Sequence, residues 1–534
     1  MTQSVDPIPW PGSQGDGTGT NIANGPPGPF ETMLQQVLNI QSDRRNTPIK
    51  LPFQLANFVN HHETHAGSQF ICADGKPWLF DAFARKIYEI SLKDDGFAHF
   101  LTNKYGLLRV DRIAQQVTHA LAAQTMHAGD ARELRRYSYY SSAEKALYLS
   151  RYNGTAYRLD GNEIQVVPNG TGVLFIDDDG GIPVEADIGN HGILFDRLVN
   201  DIQFVKETDS GTTPATQRHL FTLWLFATGI PDLFPTKPLL LVTGDKGAGK
   251  TTALQRAQLV IHGRDVVQSV GQRGEDDFGV TILRKPIAIL DNVDKPIDWL
   301  PDALCAYATG GSWTRRALYT NTGQVEIKPY AFIALATKNP ATFKRDDVAD
   351  RCIVLRLDRR AAHDGYLSLH RIRESLIADR PKLYGEWLFY MNRIISEYKK
   401  DRPAKTTTHR LADFAENAEL IGRAIGLDDT VVDGLLNAAQ YERESIVIEG
   451  DPFVDVTDKW LDITTNVGRE IAGEDKLFEE LHTVAVFRRL PFYKSIRTMT
   501  ARLRESDAAL ARHFVMTKRV REGVTYYSFR RRVA

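Results

Sequence analysis

Apolar positions follow two regimes along this chain. In its middle stretch four short runs are apolar almost without a break: "PLLLVT", "PIAILD", "AFIALAT" and "CIVLRL". Each is followed by a loop and then a helical pattern. Such runs predict the strands of a parallel sheet covered on both faces. Beyond about Asp358 the strands stop. There "LHRIRESLIADRPKLYGEWLFYMNRIISEYKK" and "RLADFAENAELIGRAIGL" carry helical periodicity. Upstream, "PWLFDAFARKIYEIS" and "KALYLSRYNGTAYRLDGNEIQVVPNGTGVLFID" read as short strands, broken in the second by Asn-Gly and Asp-Gly turns. "RIAQQVTHALAAQTMHAG" predicts a helix closed by Gly129, and "QRHLFTLWLFATGI" an apolar helix. From Met1 to about Phe30, Gly, Pro, Ser and Asn dominate, which predicts a disordered tail open to a partner-binding role.

These patterns divide the chain into a tail (1–30), an N-terminal α+β domain (31–200), a parallel-sheet core (201–360), a helical segment (361–453) and a small C-terminal unit (454–534). The fold class is α/β multidomain. The length, 534 residues, agrees, since it exceeds what one hydrophobic core serves. No internal repeat is visible.

Composition narrows the field by exclusion. Hydrophobic residues make up 42% and charged residues 25%, as in ordinary globular proteins. The formal net charge is −1, so any nucleic-acid surface must be local. Cys72, Cys305 and Cys352 are few, odd in number and widely spaced, which excludes a disulfide framework or a Cys-x-x-Cys knuckle. A reducing, cytoplasmic setting is the expectation. No apolar run reaches the roughly 18 residues of a membrane span, and the N-terminus lacks the basic start and apolar centre of a signal peptide. "NGT" at Asn153 and Asn169 is read as a turn rather than a glycosylation site.

Candidate chemistry begins with "GDKGAGKTT", Gly244 to Thr252. It has the form GxxxxGK[ST], follows a buried strand and opens a helix, and that context makes a short pattern specific. Gly244, Gly247 and Gly249 let successive backbone N–H groups face inward as an anion nest, and the helix N-terminus adds positive potential. Lys250 is placed to reach the β- and γ-phosphates of ATP, with Thr251 ligating Mg²⁺ and Thr252 completing the cradle. Asp291, closing "KPIAILD", is the second metal-holding candidate. Asn292 follows where a glutamate commonly orients water. Either Asp294 serves as base, or the Asn292 amide positions water. "FIALATKNP" ends in Asn339, whose amide suits the γ-phosphate or the attacking water. Arg351, in "DDVADRCIVLRL", suits an arginine finger reaching a neighbouring subunit, or else an ion pair with Asp347 or Asp350. "TRRALYTNTGQVEIKPY" reads as a hairpin bearing Arg315, Arg316 and, at its end, Lys328.

Charge is concentrated at the C-terminus. Arg488 to Ala534 holds thirteen Lys/Arg against three Asp/Glu, an electrostatic footprint for phosphate. The pattern there predicts a winged helix, with Lys494, Arg497 and Arg502 on or beside a helix from Ser495 to Glu505 and Lys518, Arg519 and Arg521 on the wing. A solvated basic face or a protein-binding winged helix is the plainer alternative. "FIDDDGG" offers Asp177 and Asp179 at a two-metal spacing, but no third carboxylate accompanies them, and an acidic turn is the preferred reading.

In order, the cradle, "ILDNVD", "DALCAYATGGSWTRRALYT", "ALATKNP", "DVADR" and "HRLADFAENAELIGRAIGL" resemble the ATPase half of phage and mobile-element primase–helicases, which are similar to superfamily III helicases within the AAA+ ATPases. The resemblance spans roughly Thr216 to Gln440. "VVPNGTGVLF" looks like the element just upstream of that core. The resemblance implies a P-loop AAA+ fold and a DNA helicase or translocase acting on single-stranded or forked DNA. It also implies a homo-oligomeric ring, a hexamer. Asn339 would be sensor 1, Arg351 the finger, and the Arg315–Lys328 hairpin a DNA-tracking element. Asn292 departs from the wider class, and no full primase domain is seen, so a separate primase or polymerase is an expected partner. Two rivals stay open: a nucleotide-gated switch or scaffold, for example in anti-phage defence, and a replication initiator that uses ATP only to assemble.

Overall fold

A computed structural model describes residues 50–534, except 177–179, 209–210, 270, 272–273, 296, 312, 317–323, 328–329, 344, 361–364, 366, 401–406, 506–509, 512 and 532–534. The expected tail, the Asp177 and Asp179 pair, Lys328 and the turn of the basic hairpin lie outside the described residues.

The first of two compact units runs to Ala131, apart from residues 73–75 and 82–87. Its elements are α1 (Lys50–His65), β1 (Gln69–Ala73), β2 (Lys76–Asp81), β3 (Lys86–Glu89), α2 (Asp95–Tyr105), α3 (Arg112–Ala128) and β4 (Asp130–Ala131), with the last residue of β1 and the first two of β3 among the excepted ones. Its sheet has the order β3-β2-β1-β4. The α3 helix ends one residue before Gly129, as its sequence predicts. Buried Glu63 is fully partnered: it accepts from Ser68 Oγ at 3.0 Å, from Lys104 Nζ and from the Tyr105 hydroxyl.

The second unit takes in Arg132–Ala534. The compact division therefore falls inside the expected 31–200 domain, not at its end. The reason is packing. Strands β5 (Ser138–Ser141), β6 (Ala146–Ser150), β7 (Thr155–Leu159) and β8 (Ile164–Pro168) form an antiparallel meander. Its apolar side, with Leu147, Tyr157 and Leu159, joins one core with Trp224 and Trp387 from much later in the chain. The Asn-Gly and Asp-Gly turns are present, with Gly154 and Gly161 at positive φ. Asn169 is buried, and its amide exchanges two 2.9 Å hydrogen bonds with the Phe175 backbone, so this "NGT" is a structural turn.

Helix α4 (Pro214–Ala227) begins at Thr213, whose hydroxyl accepts from Thr216 N, and leads into the central sheet. That sheet contains β9 (Leu239–Gly244), β10 (Val267–Ser269), β11 (Ile287–Asp291), β14 (Phe332–Thr337) and β15 (Cys352–Leu357), all parallel, in the order β10-β11-β14-β9-β15. Alternation along β9 explains its unbroken apolar run. Leu240 and Val242 face one core with Trp224, while Leu239 and Leu241 face a second with Phe278 and Tyr307. Helices α5 (Lys250–His262), α6 (Glu275–Arg284), α7 (Leu300–Ala308) and α8 (Asp346–Ala349) connect these strands. The expected hairpin is formed by β12 (Trp313–Arg316) and β13 (Gln324–Ile327), with Arg315 opposite Val325. Helices α9 (Leu369–Tyr398), α10 (Ala412–Ile425) and α11 (Asp429–Ile448) follow as the periodicity predicts. Their buried faces share the cores of the sheet.

The last segment folds around its own apolar cluster, with Phe453, Trp460, Leu477, Met499 and Phe529. It contains α12 (Pro452–Leu461), β16 (Ile471–Ala472), α13 (Gly473–Arg488), α14 (Ile496–Glu505), β17 (Phe514–Arg521) and β18 (Val524–Arg531). The three strands form one antiparallel sheet in the order β16-β18-β17, and Glu522 and Gly523 make the hairpin turn. Among the described residues no helix is long and apolar enough to cross a membrane.

Candidate functional site

Parallel strands bring their C-terminal ends to one edge of a sheet, and here those ends carry most of the candidate residues. Gly244 closes β9 opposite Leu357, Thr337 closes β14 opposite Thr243, and Asp291 closes β11 opposite Ala336. Because β14 lies between β9 and β11, the turn bearing Asn339 sits between the Gly244 loop and Asp291.

The loop conformation accounts for its glycines. Gly244, Gly247 and Gly249 have φ of 146°, 85° and 81°, in the region that side chains disfavour. A Cβ on Gly244 would also overlap the carbonyl oxygen of Leu357. Gly249 caps α5, whose first turn holds Lys250, Thr251 and Thr252 and no acidic residue. The helix thus presents unpaired N–H groups and positive potential to the loop. Lys250 Nζ donates to Gly244 O at 2.8 Å and Asp245 O at 3.0 Å. Burial lowers its pKa, and the nearby carboxylates of Asp294, Asp291 and Asp245 partly offset this.

Asp291 is half-buried, and its Oδ1 accepts the N–H of Asn292 at 2.9 Å. Asn292 is exposed and left-handed, with φ 59°. Asparagine tolerates that conformation better than most side chains. Asp294 turns toward the β14 end instead: Oδ1 accepts from Lys338 N at 2.6 Å and from Thr337 Oγ1 at 2.9 Å. Burial alone would raise its pKa, but these donors and Lys250 outweigh it and hold the carboxyl below its usual range.

Arg351 is half-buried just before β15 and donates to the backbone oxygen of Asp347. The expected ion pairs are taken by other residues. The Asp347 carboxylate is held by Arg345 and that of Asp350 by Arg410. Arg315 and Arg316 lie on β12, away from the loop in sequence and outside the central sheet.

Two features of this site escape local sequence patterns. Arg359, two residues after β15, reaches back so that its Nε donates to Lys246 O at 2.5 Å. A cavity of about 320 Å³ lies beside the loop, lined by Ile202, Gly247, Ala248, Leu357, Leu369 and Ile372 among others. Its polar rim is held by Asp201, which pairs with Arg256 at 2.5 Å and with Arg360. The doublet Arg359–Arg360 after the last apolar run was the available signal, but nothing local links it to Asp201.

At the C-terminus, Lys494 and Arg497 are exposed, as are Lys518, Arg519 and Arg521 on β17. Arg519 and Arg521 lie 3.6 and 3.1 Å from Glu470. Arg502 departs from expectation. Its Nε donates to buried Asp451 at 2.6 Å and its Nη2 to Val447 O at 2.8 Å, so it braces α14 against the fold.

Among solved structures, the A form apo structure of the NrS-1 C terminal region aligns with 10% identity over 88% of this chain and 98% of that one, with a TM-score of 0.42. The apo structure of NrS-1 C terminal region (305-718) aligns with 11% identity over 90% and 99%, again at 0.42. At TM-scores below 0.5 these likenesses are too distant to assign the fold. No curated protein matches the chain. Residues 210–432 match the family model of the actinomycete integrative conjugative element replication protein. Gly244–Thr252, Asp291, Asn339 and Arg351 all fall within this stretch, which is similar to mobile-element replication proteins, whereas Asp201 and Ile202 of the cavity precede it.

Proposed function

We propose that this chain is an ATP-dependent DNA helicase or translocase of a mobile-element replication system, working as a homo-oligomeric ring. One observation carries the reading: a GxxxxGK[ST] loop with three positive-φ glycines opens a helix at the sheet edge where Asp291 and the Asn339 turn also end. The residues present fit ATP and Mg²⁺. The Gly244–Gly249 backbone and the α5 N-terminus would hold phosphate oxygens, and Lys250 would neutralise them. The cavity beside Gly247 and Ala248 has room and apolar walls for a base. Thr251 and Asp291 would hold Mg²⁺. When bound, Mg²⁺ offsets charge on the phosphate oxygens.

In this reading Asn339 orients water or the γ-phosphate, and Arg351 of one subunit completes the site of the next. The β12–β13 hairpin with Arg315, Arg316 and Lys328 tracks a DNA strand. The C-terminal segment, read as a winged helix, supplies Lys494, Arg497, Lys518, Arg519 and Arg521 to phosphates. One observation favours the rival switch reading: position 292 carries an amide in a left-handed conformation instead of a carboxylate that could take a proton. Steady-state ATP turnover of the wild type and Lys250→Ala, with and without single-stranded DNA, separates the two. Stimulation by DNA that is lost in the variant supports the motor. Turnover indifferent to DNA supports the switch.

A further inference from the structure

Close after Asp291 the sequence offers two residues for activating water, Asp294 and Asn292, and the structure treats them differently. Asn292 is exposed. Asp294 lies three residues beyond Asp291, where the chain leaving β11 folds over the neighbouring end of β14. A single carboxylate oxygen, Asp294 Oδ1, there meets three successive residues. It accepts from Thr337 Oγ1 at 2.9 Å, Lys338 N at 2.6 Å and, more weakly, Asn339 N at 3.4 Å. Thr337 is 1% exposed, and its hydroxyl also lies 3.0 Å from Val293 O and 2.8 Å from Asn339 O, with one proton to share among these acceptors. That oxygen in turn accepts from Asn339 N at 3.1 Å. The turn that delivers Asn339 is thus closed on itself by Thr337 and tied to the metal-side strand by Asp294.

We propose that Asp294 is a positioning residue and not the general base: its carboxylate locks the Thr337–Asn339 turn to the strand carrying Asp291, so that Asn339 and the metal acid keep a fixed separation during hydrolysis. The inference rests on the ATPase reading above. A carboxylate that already accepts several hydrogen bonds, with its proton affinity reduced by them, is poorly suited to take a proton from water. The same bonds suit it to placement, where an error near 1 Å costs on the order of 100-fold in rate.

The test compares ATP turnover, KM and binding of a fluorescent ATP analogue in Asp294→Asn, Asp294→Ala and Thr337→Val, with thermal melts as the folding control. Asparagine keeps an oxygen that accepts from both N–H groups but cannot act as a base. Asp294→Asn is expected to stay within about tenfold of wild-type kcat, while Asp294→Ala loses about 100-fold with KM and analogue affinity little changed. Thr337→Val, which leaves both acids in place, is expected to lower kcat without raising KM. Equal inactivity of Asp294→Asn and Asp294→Ala, both folded, would identify Asp294 as the base and overturn the proposal. Wild-type kcat in Asp294→Ala, or a parallel loss of binding, would overturn it while leaving the ATPase reading intact. Turnover in the wild type no higher than in Lys250→Ala would remove the ATPase reading and this proposal with it.

Discussion

Gly244 and Leu357 stand so close at the ends of adjacent strands that the Leu357 carbonyl oxygen occupies the place a Gly244 Cβ would need. The glycine is also at φ 146°, so both space and backbone exclude a side chain. Gly244→Ala is expected to cost about 3 kcal/mol and to abolish nucleotide binding, because the loop must shift to admit the methyl group. Thermal melting and analogue binding on the same variant would show the two losses together.

Among the described residues the Lys250 ammonium hydrogen-bonds to backbone oxygens of its own loop. Lys250→Ala is therefore expected to leave the melting temperature within a few degrees while ATP turnover disappears. Arg351→Ala is expected to retain nucleotide binding and lose turnover, since its proposed target lies in a neighbouring subunit. Mixing Arg351→Ala with Lys250→Ala subunits should restore part of the activity, which measures the sharing of a site directly.

Asn292 holds a left-handed conformation that asparagine adopts readily and alanine does not. Asn292→Ala is expected to destabilise by about 1 kcal/mol and Asn292→Gly by less, as read from denaturant midpoints. The contrast separates a backbone requirement at this position from any use of its amide in turnover.

Asp201 closes the cavity rim through Arg256 and Arg360. Burial pushes its pKa up, but the two guanidinium groups outweigh that and hold it below the ordinary 3.8. For a carboxylate depressed in the folded state, the stabilisation is present above its unfolded pKa and fades as pH falls through the folded one. The melting temperature of the wild type is expected to exceed that of Asp201→Asn by a constant margin above about pH 4–5 and to converge on it below. The side chain is about two-fifths exposed, so solvent screening keeps the margin small.

Arg502 and Arg497 share a helix but not a role. Arg502→Ala would leave Asp451, whose side chain is 4% exposed, without its cation, and is expected to cost about 3 kcal/mol while sparing the salt dependence of DNA binding. Lys494→Ala with Arg497→Ala is expected to leave stability unchanged and to lower the slope of log K against log salt by about 1 per residue. A double variant with an unaltered slope would remove this face from DNA contact.

Local chemistry made much of the molecule legible from sequence. The four apolar runs became strands because a strand buried on both faces has no polar position to spare. The glycine spacing of Gly244–Gly249 identified a loop whose φ values only glycine adopts easily. Asn-Gly and Asp-Gly pairs marked two of the three turns of the β5–β8 meander for the same reason. These are decisions made within a few residues, where backbone sterics and periodicity suffice. Sheet order is not such a decision. Only the folded chain places β14 between β9 and β11, and so puts the Asn339 turn under the carboxylate of Asp294. It also builds one cavity from Ile202, Gly247 and Leu369, which are far apart in sequence. Arg502 shows the limit most plainly. Its place in a basic stretch read as a phosphate contact, yet Asp451, 51 residues earlier, had to be neutralised once burial removed it from water, and that demand took the arginine inward.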